Sequence, residues 1–282
     1  MLFIIHIVIF TIWFMWIIKK GKYSWGTILT AFFLFVMIVD LGEVTFNFLF
    51  ETYKFPAHLL SNFHQDNQMG VLLADVVVIP LTFFIASHYF IHSKKRWLLI
   101  ILFTIMQSLT EVLYLRLGYL VYVHWNILIS IAVYFVWYVI LSKYAPRFLR
   151  KEKPFPYSLI LTASVYNIGG MLGGAIMGGE LLKFFQWRPH IFISPHADDR
   201  FSEIGSLTLL GILTGILIPK TQPKYRPIIF GLLIIVGISF YTFANWKGWL
   251  LYHHWNIYAT IIRWVVPYAI ITWLDRQESF RT

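Results

Sequence analysis

Long runs of apolar residues, each about 20 residues, recur along this chain with only short polar loops between them, and a run of that length is what a helix needs to cross the hydrocarbon of a bilayer. Lipid offers the backbone no hydrogen-bond partners, so a crossing segment has to be a helix or part of a closed barrel. Nine runs fit, at approximately residues 2–18, 26–49, 71–92, 97–116, 125–143, 157–179, 202–219, 227–245 and 255–274. With 59% hydrophobic residues, 13% charged residues and a mean hydropathy of +0.69, the chain lies far from the composition of a soluble domain. The predicted fold class is all-α: a polytopic membrane protein of nine transmembrane helices whose first partner is the lipid bilayer.

The formal charge of +10 does not call for nucleic acid, because the basic residues sit in short loops beside the apolar runs. Most of the 23 Lys and Arg follow odd-numbered runs: Lys19, Lys20 and Lys22; Lys94, Lys95 and Arg96; Lys143 to Lys153; Lys220 to Arg226; Arg276 and Arg281. Only Lys54, Arg116, Lys183, Arg188, Arg200 and Lys247 fall in the opposite loops, and Arg263 lies inside a run. The positive-inside bias predicts an external amino terminus and a cytoplasmic carboxyl terminus. The first run is followed, not preceded, by its positive charges and has no small-residue cleavage site, so it reads as a retained anchor helix. Cysteine is absent, which excludes disulfides and thiolate chemistry.

Two nearly identical phrases, YLVYVHWNI at 119–127 and WLLYHHWNI at 249–257, stand 130 positions apart. In that register Lys94 meets Lys224, Arg96 meets Arg226, Gly118 meets Gly248, and His124-Trp125-Asn126 meets His254-Trp255-Asn256. Resemblance between apolar helices is common, but matched loop charges, glycines and a polar triplet in one register predict an internal repeat. The expected organisation is an anchor helix (1–22) and two parallel four-helix repeats (23–145 and 146–282). Parallel repeats occur in transporters, with the substrate path between the halves; duplication that merely enlarges a bundle is the plainer reading. Trp and Tyr in the phrase suit the headgroup level, and His124 or Asn126, with His254 or Asn256, can cap the next helix.

A charge at the centre of a spanning helix costs about 2.5–3.5 kcal/mol even on the mildest scales, so each buried ionisable group is a candidate site. Asp40, Glu43, Asn47, Glu51 and Lys54 follow one another three or four residues apart, along one helical stripe. Asp75 stands in the third run, Gln107 and Glu111 in the fourth, and Arg263 in the ninth. At 1.5 Å per residue, Asp40 and Arg263 lie roughly 12 Å from the outer helix ends, Glu111 about 9 Å and Asp75 about 6 Å. These depths predict an outward polar cavity lined by Asp40, Glu43, Asp75, Gln107, Glu111 and Arg263, with Arg263 paired to Glu111 or Asp40 across the repeat interface. The repeats diverge at these positions: Asp40 and Glu43 align with Gly170 and Gly173, Asp75 with Gly205, Glu111 with Tyr241, and Arg263 with Val133. Docking of the halves and ligand binding are both open readings of the pair.

Gly170, Gly174 and Gly178, with Gly169 and Gly173 alongside, predict close helix packing in the sixth run. The loop WRPHIFISPHADDRFSE carries His190, His196, Asp198, Asp199 and Glu203 without a helical metal-binding pattern. Ser194-Pro195 there reads as a cap and first helical turn, and the acidic residues as a solvated helix start. No metal and no cofactor are predicted. The segment at 51–70 is expected to lie as a short amphipathic stretch on the membrane surface.

Tyr53 and Pro56, Asp75 and Pro80, and His124 with Trp125 resemble elements of small uncharacterised four-helix membrane proteins of spore-forming Gram-positive bacteria. The likeness covers about residues 20–145 and implies a bacterial plasma membrane; the second repeat keeps only the His-Trp element. Three functions stay open: binding or transport of a small polar solute or lipid headgroup, an intramembrane enzyme acting on a lipid-linked substrate, and an assembly or signalling subunit with no ligand.

Overall fold

A computed structural model describes residues 2–170, 174, 176, 178 and 181–281. The chain divides into two compact units, residues 1–154 and 155–282. In the first unit the helices are α1 (Leu2–Gly21), α2 (Trp25–Glu43), α3 (Phe63–Leu72), α4 (Ile79–His92), α5 (Arg96–Arg116) and α6 (Ile127–Phe148). In the second they are α7 (Tyr157–Gly169), α8 (Pro195–Lys220), α9 (Arg226–Trp246), α10 (Ile257–Arg276) and the short α11 (Glu278–Arg281). Eight continuous helical stretches among the described residues are long and apolar enough to cross a membrane. The sixth expected run is represented by α7 alone, and most of its remainder, Gly173 included, lies outside the described residues.

The helices bury one face and leave the other apolar and exposed. Leu128 is 74% exposed, Ile12 67% and Trp97 65%, which in water would be a large unsatisfied surface and in a bilayer is the lipid face. The amino-terminal helix is part of the first unit: Phe3, Phe10 and Ile17 are buried, and Phe3 packs with Ala74, Tyr114 and Leu120.

Two helices change pitch where they carry acid. After Glu43, residues Val44–Leu49 form π-helical turns, and Phe50 N–H bonds the Thr45 carbonyl five residues back. Residues Leu73–Val78, around Asp75, are π-helical as well. Pro80 accounts for the second: it has no N–H to give the Val76 carbonyl and its ring crowds that group, so the turn before it widens.

Short antiparallel ladders, which the sequence did not suggest, close one end of each unit. In the first, β1 (Tyr53–Lys54) pairs with β2 (Val121–Tyr122), placing Tyr53 opposite Tyr122. In the second, β3 (Phe185–Trp187) pairs with β4 (Leu250–Tyr252), placing Phe185 opposite Tyr252. Within the segment expected to lie on the membrane surface, Tyr53 and Lys54 form a strand and residues 63–70 begin α3.

The same bonds are made around both ladders. Val123 and His124 N–H both donate to the Thr52 carbonyl at 2.9 Å, as His253 and His254 N–H donate to Phe184 at 3.0 and 3.1 Å. Asp66 accepts the N–H groups of His58, Leu59 and Leu60, and Asp198 accepts those of His190, Ile191 and Phe192. Gly118 and Gly248 turn the chain at φ 76° and 72°, in the left-handed region that favours glycine. Asn126 caps α6 through the N–H groups of Leu128 and Ile129, and Asn256 caps α10 through Ala259. The capping thus falls to the asparagines; the His124 and His254 side chains are exposed.

Ser194 and Pro195 do start α8, with Ser194 accepting from Ala197 N–H. The acidic residues that follow are not solvated: Asp198, Asp199 and Glu203 are all buried. Close packing in this unit runs through Gly211 and Gly215, where a Cβ would crowd the carbonyl oxygens of Thr162 and Ser158 respectively. This small-residue stripe on α8 lets α7 approach. At the far end Asp275 gathers the Tyr157 hydroxyl and the Arg226 and Arg281 guanidinium groups.

Candidate functional site

The first unit contains a cavity of about 130 Å³. Glu43 reaches it from the end of α2, Asp75 from the π-helical turns before α4, and Gln107 and Glu111 from one face of α5. The wall between them is aromatic: Phe46, Tyr53, Trp125, Tyr134 and Trp137. A smaller space of about 50 Å³ shares Gln107, Glu111 and Tyr134 and is bounded on its far side by Phe3 and His6 of α1.

Each glutamate is held by hydrogen bonds that leave it facing the cavity. Glu43 accepts from Asn47 Nδ2 at 2.7 Å and from the Tyr53 hydroxyl at 2.8 Å. Glu111 Oε1 accepts from the Tyr122 hydroxyl at 2.5 Å and Ser130 Oγ at 2.6 Å, and Ser130 in turn accepts from Trp125 Nε1 at 2.7 Å. Glu111 is 6% exposed, and the Tyr134 hydroxyl stands beside its carboxylate as well. Burial, with the Glu43 and Asp75 carboxylates beside it, raises the Tyr53 hydroxyl well above the usual phenol range. Burial and the bond to Glu111 do the same to Tyr122. Both phenols therefore stay protonated and act as donors.

No Lys or Arg is among the described lining residues. Nor do any three His, Asp or Glu side chains among the described residues stand close enough to share a metal ion. The acids are spread around a space instead of converging on a point.

Asp40 is buried near the end of α2 and does not line the cavity. Arg263 belongs to a different cluster, inside the second unit. Its guanidinium bonds Glu203 of α8 and the Tyr241 hydroxyl at 2.6 Å, and it packs 5.3, 4.8 and 5.4 Å from the ring centres of Phe185, Tyr241 and Trp264. Glu203 Oε2 also accepts from Tyr241 at 2.6 Å and Trp187 Nε1 at 2.7 Å. The expected pairing of Arg263 with Glu111 or Asp40 is replaced by one with Glu203, because α8 begins at Pro195 instead of near residue 202 and carries Glu203 inside the bundle.

Tyr53, Tyr122 and Ser130, which hold the glutamates, carried no signal in helical spacing; the two tyrosines meet only because a strand ladder pairs them. The Trp–hydroxyl–Tyr arrangement recurs without a carboxylate in the second unit, where Trp255 Nε1 donates to Thr260 Oγ1 at 2.8 Å and Tyr252 lies 2.9 Å from it. Ser130 and Thr260 thus hold equivalent places between a Trp and a Tyr in the two units.

Helices of this length and exposure, enclosing an acidic, aromatic-walled space, define an all-α, multi-pass integral membrane protein. No family model, curated protein or solved structure matches the chain.

Proposed function

We propose that the cavity of the first unit binds a small polar solute or lipid headgroup, as part of moving it across or out of the membrane. The observation that carries this reading is the meeting of Glu43, Asp75, Gln107 and Glu111, from three separate spans, around one space. Polar groups at this cost inside a spanning bundle mark solute or ion pathways. We further propose that the two units are related copies, a reading supported by the hydrogen bonds they share at Asp66 and Asp198 and at Thr52 and Phe184. A bacterial plasma membrane, with the ladder ends outward and the Lys-rich loops cytoplasmic, completes the reading; the loop charges and the resemblance at residues 20–145 support it.

The test is thermal unfolding of the detergent-purified protein against a panel of neutral polyols, amino acids, amines and phosphorylated headgroups. At least one class is expected to raise the unfolding midpoint, and Glu111→Gln and Glu43→Gln to weaken that response tenfold or more. A panel with no stabilising member, or a response that both variants retain, overturns the proposal.

A further inference from the structure

The second unit has filled the same place from within. Asn126 and Asn256 cap α6 and α10, and at the same distance beyond each cap stand Val133 and Arg263. Around Arg263 are Phe185, Tyr241 and Trp264. Their counterparts in the first unit are Tyr53, by ladder register, and Glu111 and Tyr134, by position in α5 and α6. These three, and Val133 itself, all line the cavity. Shortening the side chain from Arg to Val leaves open, in the first unit, the volume that the guanidinium occupies in the second.

From this correspondence we infer that the cavity is a site for a small organic cation, a guanidinium or alkylammonium group, whose place in the second unit is taken by Arg263. The inference rests on the reading that the cavity binds a solute, and it names the chemical class. Glu111 replaces Tyr241, whose hydroxyl bonds the guanidinium in the second unit, and so sets a carboxylate on the wall at that position. Glu43, Asp75 and Glu111 on the wall offset a positive charge, which in a low-dielectric space is otherwise costly to bury. The rings of Tyr53, Trp125, Tyr134 and Trp137 supply the faces that attract such a group, as aromatic cages do for quaternary ammonium ligands. The spread of the acids around the wall suits a cation of several atoms better than a bare metal ion.

The cation can come from water or from a lipid headgroup, and the experiment separates them. Guanidinium, choline and the uncharged choline isostere 3,3-dimethylbutan-1-ol are titrated against the full-length protein in nanodiscs of phosphatidylglycerol alone, with unfolding midpoint and tryptophan fluorescence read together. Parallel nanodiscs contain phosphatidylethanolamine. Both cations are expected to stabilise the protein and to perturb the fluorescence, and the isostere to do neither. Glu111→Gln should weaken the cation response at least tenfold, while Val133→Arg should abolish it and itself raise the midpoint. Stabilisation by phosphatidylethanolamine that free choline reverses assigns the headgroup as source; a response to free cations alone assigns a soluble amine. If the isostere acts as strongly as choline, the cation assignment fails and the solute site stands. No response to any probe or to ethanolamine lipid overturns both. Should Val133→Arg not fold, an unchanged cation response in Glu111→Gln is enough to sink the inference.

Discussion

Arg263 and Glu203 are each buried, and among the described residues they form an ion pair with each other. Removing one member of such a pair leaves a bare charge in a low-dielectric interior, which costs about 3–5 kcal/mol, whereas replacing both with apolar residues is often neutral. Arg263→Leu should therefore lower the chemical-denaturation midpoint in micelles sharply, and Arg263→Leu with Glu203→Leu should recover most of the loss. A single variant as stable as the native protein would show that the pair holds nothing. At this scale the sequence was informative about cost: Glu43, Asp75, Glu111 and Arg263 stood out because hydrocarbon does not tolerate them unassisted. It was silent about partners. Glu203 looked like a loop residue because hydropathy places a helix start where charges end, while Ser194 and Pro195 begin α8 earlier, among buried acids.

The long helices were legible because apolar length is a direct consequence of bilayer thickness. The ladders were not, since two or three residues of strand have no periodicity to read. Nor were the π-helical turns, which depend on one missing N–H more than on any pattern. The widening before Pro80 is what presents Asp75 on the cavity wall. Pro80→Ala restores a donor for the Val76 carbonyl and removes a defect worth up to about 3 kcal/mol in a helix interior. The variant should unfold at an equal or higher temperature yet bind choline several-fold more weakly, because a regular helix turns Asp75 aside. Unchanged affinity would separate the wide turn from recognition.

Across the whole molecule, charge bias and duplication make one joint claim about topology. The proposed pair of four-span copies puts the loops at Lys94–Arg96 and Lys220–Lys224 on one face of the membrane and the segments near His58 and His190 on the other. Reporter fusions at these four places should score cytoplasmic for the first pair and external for the second; Lys94 and Lys220 on opposite faces would end both the parallel arrangement and the repeat. The register of 130 positions was readable from Lys94 onward, but the ladder loops correspond at 132, as Asp66 with Asp198 makes plain. A single offset could not pair both stretches.

The carbonyls of Thr52 and Phe184, each gripping two successive amides, are indifferent to which side chains hang nearby. A frame fastened by main-chain atoms can have its furnishings exchanged without coming apart. Transplanting the Val133 and Glu111 pair into the places of Arg263 and Tyr241, together with the loss of Glu203, would then open a second vacant berth in the other half.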